Sequence, residues 1–126
     1  MRIVVVDDEQ PIMQFCVNVL ERGGHSVEGF TRPEDALTKL AAQPADLLLV
    51  DYKMPGLTGF EVIRRARQLQ PTLAAMMITG HGTRDVLEEA TRTPVNGLLL
   101  KPFTVDELSR AVATVLQGRP LSPPRV

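Results

Sequence analysis

The sequence has no tryptophan, one tyrosine and four phenylalanines in 126 residues. Bulk in the core must therefore come from aliphatic side chains, and Val, Leu and Ala supply it. A single cysteine, Cys16, excludes an internal disulfide and fits a reducing compartment. The formal net charge is −1, which offers no bulk attraction to nucleic acid or to an anionic membrane surface. No apolar run approaches the roughly 20 residues of a membrane-spanning helix, and residues 1–20 lack a signal-peptide layout. No internal repeat is visible beyond an alternation of apolar runs and amphipathic segments. A cytoplasmic protein of one domain is expected, long enough for a full core.

What the sequence does contain centres on Leu47-Leu48-Leu49-Val50-Asp51-Tyr52-Lys53-Met54-Pro55-Gly56-Leu57-Thr58-Gly59. The opening apolar run does not alternate, as expected of a strand covered on both faces. It stops at Asp51. In open α/β sheets, ligands bind beyond the C-terminal ends of the strands. Asp51 is thus the candidate reactive group.

The same pattern recurs. Arg2 to Val6 is a second buried run and ends in Asp7-Asp8-Glu9. Ile12, Phe15, Cys16, Val19 and Leu20 then fall on one helical face, with Asp8 as a fair N-cap and Pro11 in the first turn. Gly23-Gly24 stops that helix. His25 to Phe30 reads as a more polar strand at a sheet edge. Thr31-Arg32-Pro33-Glu34 reads as a capping box, and the helix it starts should bury Ala36, Leu37, Leu40 and Ala41. A second box, Thr58 to Glu61, begins a helix with Phe60, Ile63 and Ala66 inside and Arg64, Arg65 and Arg67 outside. Ala74 to Ile78 is the fourth run and leads to Thr79-Gly80-His81. The helix from about Arg84 to Arg92 has a thin apolar face of Val86, Leu87 and Ala90, and Pro94 bars its continuation. Gly97 to Leu100 is the fifth run, ending in Lys101-Pro102-Phe103. Thr104 to Glu107 is a third capping box, before a helix with Leu108, Ala111, Val112, Val115 and Leu116 on one face. Five β-α repeats imply a parallel sheet with helices on both faces and right-handed crossovers. Residues 1–117 form the expected domain, and the Pro-rich residues 118–126 a tail or the start of a linker.

Parallel strands deliver their C-terminal ends to one edge, here Asp7, Asp8, Asp51, Thr79 and Lys101. Two carboxylates about 5 Å apart repel by roughly 3 kcal/mol at an effective dielectric of 20. Lys101 offsets one charge, and a divalent cation would offset the rest. An all-oxygen site suits Mg²⁺, which usually completes its shell with water and substrate phosphate. The metal in turn points to phosphoryl chemistry with Asp51 as nucleophile, and with Lys101 and the Thr79 hydroxyl against the phosphoryl oxygens.

With Val5-Val6-Asp7-Asp8-Glu9, Asp51-x-x-Met54-Pro55-x-x-x-Gly59, Ile78-Thr79-Gly80 and Leu100-Lys101-Pro102-Phe103 in this order, the chain resembles a bacterial two-component response-regulator receiver domain from Arg2 to about Gln117. The resemblance implies a flavodoxin-like α/β fold, a five-stranded parallel sheet in the order 2-1-3-4-5 with five helices. It implies that Asp51 takes phosphate from a histidine kinase or phosphotransfer protein. Asp8, Asp51 and the Lys53 carbonyl would ligate Mg²⁺ (or Mn²⁺) directly, with Asp7 acting through water. Lys101-Pro102 would be a cis peptide. Output would pass through the surface of the fourth helix, fifth strand and fifth helix to an output domain or target protein. The chain departs from the family at Leu98, three residues before Lys101, where a Tyr or Phe is common. The aromatic half of the Thr79–aromatic switch is therefore missing. Lys53 and His81 stand where side chains tune the lifetime of the phosphoryl group.

Alternatives remain in view. A pseudo-receiver, binding partners without phosphorylation, would use the same fold. An aspartate-nucleophile phosphatase would need a second acid near Asp51, where Lys53 stands. Flavin or nucleotide binding would need a Gly-rich phosphate loop after the first strand, which is missing. A dedicated turnover enzyme is not expected. Cys16 reads as packing. Arg64, Arg65 and Arg67 read as a solvated face, with docking of an acidic partner as the other reading.

Overall fold

The computed structural model describes residues 1–80 and 84–118. Strands β1 (Arg2–Val6), β2 (Ser26–Phe30), β3 (Leu47–Asp51), β4 (Ala74–Thr79) and β5 (Gly97–Leu100) alternate with helices α1 (Gln10–Arg22), α2 (Pro33–Ala42), α3 (Gly59–Leu69), α4 (Arg84–Arg92) and α5 (Val105–Gly118). All strand pairs are parallel, in the order β2-β1-β3-β4-β5. That is the expected doubly wound sheet, with β2 at an edge. Among the described residues, no helix is long and apolar enough to cross a membrane.

The period of two along each strand divides the core into two layers. Ile3, Val5, Leu47, Leu49, Met76 and Ile78 face α1 and α5. Val4, Val6, Leu48, Val50, Ala75 and Met77 face α2 and α3, with Val86 of α4 joining them. Both faces of β1, β3 and β4 are covered, which is why their sequences run apolar without alternation. Register pairs Val6 with Val50, Asp51 with Ile78 and Thr79 with Leu100, so the strand ends come level at one edge.

Helix starts follow local chemistry with two exceptions. The Thr58 and Thr104 capping boxes both form: Glu61 N–H donates to Thr58 Oγ1 at 3.3 Å, and Glu107 N–H to Thr104 Oγ1 at 3.0 Å. The Thr31 box does not form. The N-cap of α2 is Arg32, with no side-chain cap, and Pro33 follows as the first helical residue. Proline prefers that first position and forces its predecessor to be extended, as Arg32 is at φ −120°, ψ 124°. Asp8 does not cap α1 either; Glu9 is the N-cap, again without a side-chain bond.

Burial differs from expectation where a helix is partly uncovered. Phe15, Ala41 and Leu87 are exposed, while Met13 and Val17 are buried instead. In α4 only Val86 is buried, so its apolar face is thinner still than its sequence implies. The β5 run is as apolar in sequence as the others, yet Leu98 and Leu100 are 37% and 52% exposed. β5 is an edge strand, and α4 leaves its outer face open. Arg67 is not fully solvated as expected: it is half-buried and bonded to neighbouring carbonyls.

Candidate functional site

Each group at the sheet edge is held by its own strand end. Asp7 N–H donates to Phe30 O at 3.1 Å, extending the β1–β2 ladder by one residue. Asp51 is the last residue of β3, and Tyr52 N–H donates to Ile78 O at 2.7 Å. The chain then turns back sharply: Gly56 has φ +88°, and Gly59 N–H donates to Tyr52 O at 2.8 Å. A Cβ on Gly59 would stand 2.6 Å from both Asp51 O and Met77 Sδ, so only glycine lets α3 start this close to the Asp51 backbone. Lys101 follows β5; its N–H donates to Thr79 O at 2.8 Å, and its peptide bond to Pro102 is cis.

The side chains converge as the strand-end reading requires. Oxygens of Asp7, Asp8 and Asp51 lie within 4.8 Å of one another. Lys101 Nζ lies 3.2 Å from Asp51 Oδ1, 3.3 Å from Asp7 Oδ2 and 3.1 Å from Glu9 Oε1. A cavity of about 220 Å³ is lined by Glu9, Asp51, Lys53, Thr79, Gly80 and Lys101. Asp7, Asp51 and Thr79 are buried, while Asp8 and Lys53 are exposed. Because Asp8 is not spent on capping α1, its carboxylate is available to the cluster.

Leu98 sits opposite Met77 in the ladder and is not among the residues lining the cavity. His81 lies outside the described residues. Glu9 is the residue that sequence reasoning left without a role. As the exposed third member of an acidic run it carries no distinguishing signal, and only the fold brings it to Lys101. Cys16 is fully buried, and burial, then the charge of Asp7, pushes its thiol up to about 12, so it is packing and not a nucleophile.

The electrostatics show excess negative charge on buried carboxylates. Burial raises the Asp51 carboxyl to about 6, the neighbouring Asp7 adds to this, and Lys101 opposes it. Asp7 is also raised, chiefly by burial, against the Glu9 N–H and Lys101. Burial alone would lower Lys101, but Asp7 and Asp51 push it up to about 12. One ammonium therefore does not balance the site. Asp7 Oδ2 is buried and accepts no hydrogen bond, although Lys101 Nζ is at ion-pair distance. An orphaned carboxylate oxygen beside two further carboxylates is an all-oxygen donor set that fits a hard divalent cation.

Comparison with known proteins agrees with this arrangement. The family model described as "Response regulator receiver domain" matches residues 3–113. The response regulator receiver protein CpdR of Brucella abortus is 31% identical over 115 residues, spanning 91% of this chain and 96% of that protein. The C4-dicarboxylate transport transcriptional regulatory protein DctD of Rhizobium meliloti is 28% identical over 94% of this chain, but this chain spans only 26% of its length. The crystal structure of a CheY-like receiver domain protein from Methanospirillum hungatei superposes with a TM-score of 0.87 at 25% identity, covering 94% of each chain. A carboxylate cluster at the strand ends, the 2-1-3-4-5 sheet and a family match over nearly the whole length converge on one conclusion: the chain belongs to the response regulator receiver domain family, the signalling domains of two-component systems.

Proposed function

We propose that the chain is a phosphorylation-activated switch in which Asp51 accepts a phosphoryl group from a phosphohistidine of a histidine kinase or phosphotransfer protein. The observation that carries this reading is the buried Asp51 carboxylate opening onto a small cavity, with Lys101 Nζ 3.2 Å away and Thr79 on the same wall. An Asp51 oxygen forms the new bond to phosphorus as the bond to the donor imidazole nitrogen breaks, which leaves an acyl phosphate. The transferred group spreads its charge over three oxygens. Lys101 moves its ammonium from the carboxylates to one of them, and the Thr79 hydroxyl donates to another. Mg²⁺ held by Asp8, Asp51 and the Lys53 carbonyl, with Asp7 acting through water, would offset the charge of the carboxylates and of the incoming group.

Receiver domains are signalling domains and not dedicated turnover enzymes. In keeping with this, Lys53 stands two residues after Asp51, where an aspartate-nucleophile phosphatase would need an acid. Residues 1–117 would form the phosphoacceptor domain, working in the cytoplasm. The α4–β5–α5 surface is the proposed contact for an output domain or target, supported by the exposed Leu87, Leu98, Leu100 and Val105.

Incubation with Mg²⁺ and acetyl phosphate should add the mass of one phosphoryl group to the intact protein and none to Asp51→Asn. No gain in the wild type would favour a partner-binding module that works without phosphorylation.

A further inference from the structure

A second charged cleft lies between α3 and the end of α4, and the chemistry at Asp51 does not use it. It is open, about 390 Å³ in volume, and lined by Arg64, Arg67, Gln68, Arg92, Thr93 and Pro94. Arg67 is locked in place: Nε donates to Leu73 O at 3.1 Å, Nη2 to Asn96 Oδ1 at 3.2 Å and Nη1 to Pro94 O. All three acceptors are neutral, and no ion pair to Arg67 occurs among the described residues. Arg64 and Arg92 share one carboxylate between them. Glu89 gives Oε2 to Arg64 Nη1 at 2.9 Å and Oε1 to Arg92 Nη2 at 3.4 Å. Three guanidinium groups thus face one carboxylate, and none has the bidentate pairing that its planar fork favours.

We infer that this cleft docks an acidic segment of a partner protein. Its carboxylates would pair with Arg92 and Arg64 in exchange with Glu89, and would supply the counter-charge that Arg67 lacks. Three features select a peptide over a small anion. The cleft is open and does not enclose a ligand. Its wall carries no aromatic side chain on which a nucleotide base could stack. Its cations are spread over two helices, Arg64 and Arg67 one turn apart on α3 and Arg92 on α4, which matches several carboxylates along a chain. Arg92 is 69% exposed and free to reorient toward a ligand.

The test uses the full, unphosphorylated chain without a phosphodonor, so it stands apart from the fate of Asp51. A fluorescein-labelled hexaglutamate peptide is titrated at low salt and followed by anisotropy. Binding should weaken about three-fold in Arg92→Gln and tighten about three-fold in Glu89→Gln, the scale of one exposed ion pair. Arg22→Gln, the same charge change on α1, should have no effect. Amide shifts on titration should cluster at Arg64, Arg92 and Thr93. The inference is overturned if no binding occurs, if Arg22→Gln weakens binding as much as Arg92→Gln, or if Glu89→Gln fails to tighten it. Displacement of the peptide by an equal concentration of inorganic phosphate would also overturn it, reassigning the cleft to a small anion.

Discussion

Strands β3 and β5 are both leucine-rich, yet they live in different solvents. Every residue of β3 from Leu47 to Asp51 is buried, whereas Leu98 and Leu100 of β5 reach water. The contrast extends to what each strand ends in. β3 delivers a buried carboxylate to the pocket, and that burial raises its pKa to about 6. β5 neighbours α4, which buries only Val86 and is fastened to α3 by Arg64 donating to Glu89 and, at 2.8 Å, to Thr93. The centre of the sheet is closely packed by apolar side chains and carries unbalanced charge at its end. The β5 edge is thinly packed and held by polar contacts, which are easier to exchange. The proposed switch would need both: a fixed place for the chemistry and an element that moves at small cost.

The largest effect separating the two regions should come from the core. Leu48→Ala is expected to cost about 3 kcal/mol of unfolding free energy, read by denaturant melts, because its fully buried side chain leaves a cavity. A cost near zero would mean that β3 is not the packed centre.

Next is Asp51→Asn, expected to stabilise the cation-free protein at pH 7 by about 1–3 kcal/mol, since a buried like charge is removed. The sign follows from linkage. The folded carboxyl, at about 6, keeps its proton after the unfolded one, near 3.8, has lost it. Stability of the wild type with chelator should therefore fall as pH rises from about 4 to about 6, and Asp51→Asn should flatten that slope. Mg²⁺ should raise the melting temperature of the wild type more than that of the variant. A variant less stable than the wild type at pH 7 would contradict the charge excess.

Arg64→Ala should cost about 1 kcal/mol, because the ion pair to Glu89 is solvent-screened while the hydroxyl of the buried Thr93 loses its donor, and should speed amide exchange throughout α4 while leaving β3 unchanged. Smallest of all, Leu98→Thr should change stability by no more than about 0.5 kcal/mol in the same melts. A larger loss would show that its face of β5 is covered after all.

Most of the sheet and the site were legible because burial and charge change sharply at the strand ends. Apolar runs of four to six residues stopping at Asp7, Asp51, Thr79 and Lys101 mark both the strands and the edge where they meet. What stayed hidden depends on neighbours that a local pattern does not contain. Glu9 reads as part of an acidic run until the fold carries Lys101 to it. Arg67 falls on the outer face by periodicity, but its long side chain folds back onto the carbonyls of Leu73 and Pro94. The exposure of Leu98 and Leu100 is not visible locally either, because an apolar edge strand has the same sequence pattern as a central one. Thr31 reads as a cap until Pro33 claims the first helical position.

The most direct measurement is the position of the phosphoryl bond. After phosphorylation, borohydride reduction converts an aspartyl phosphate to homoserine, which peptide mass mapping locates. Homoserine at position 51, and nowhere else, is the expected result. Reduction at Asp7 or Asp8, or none in a sample that has taken up phosphate, would contradict Asp51 as the acceptor.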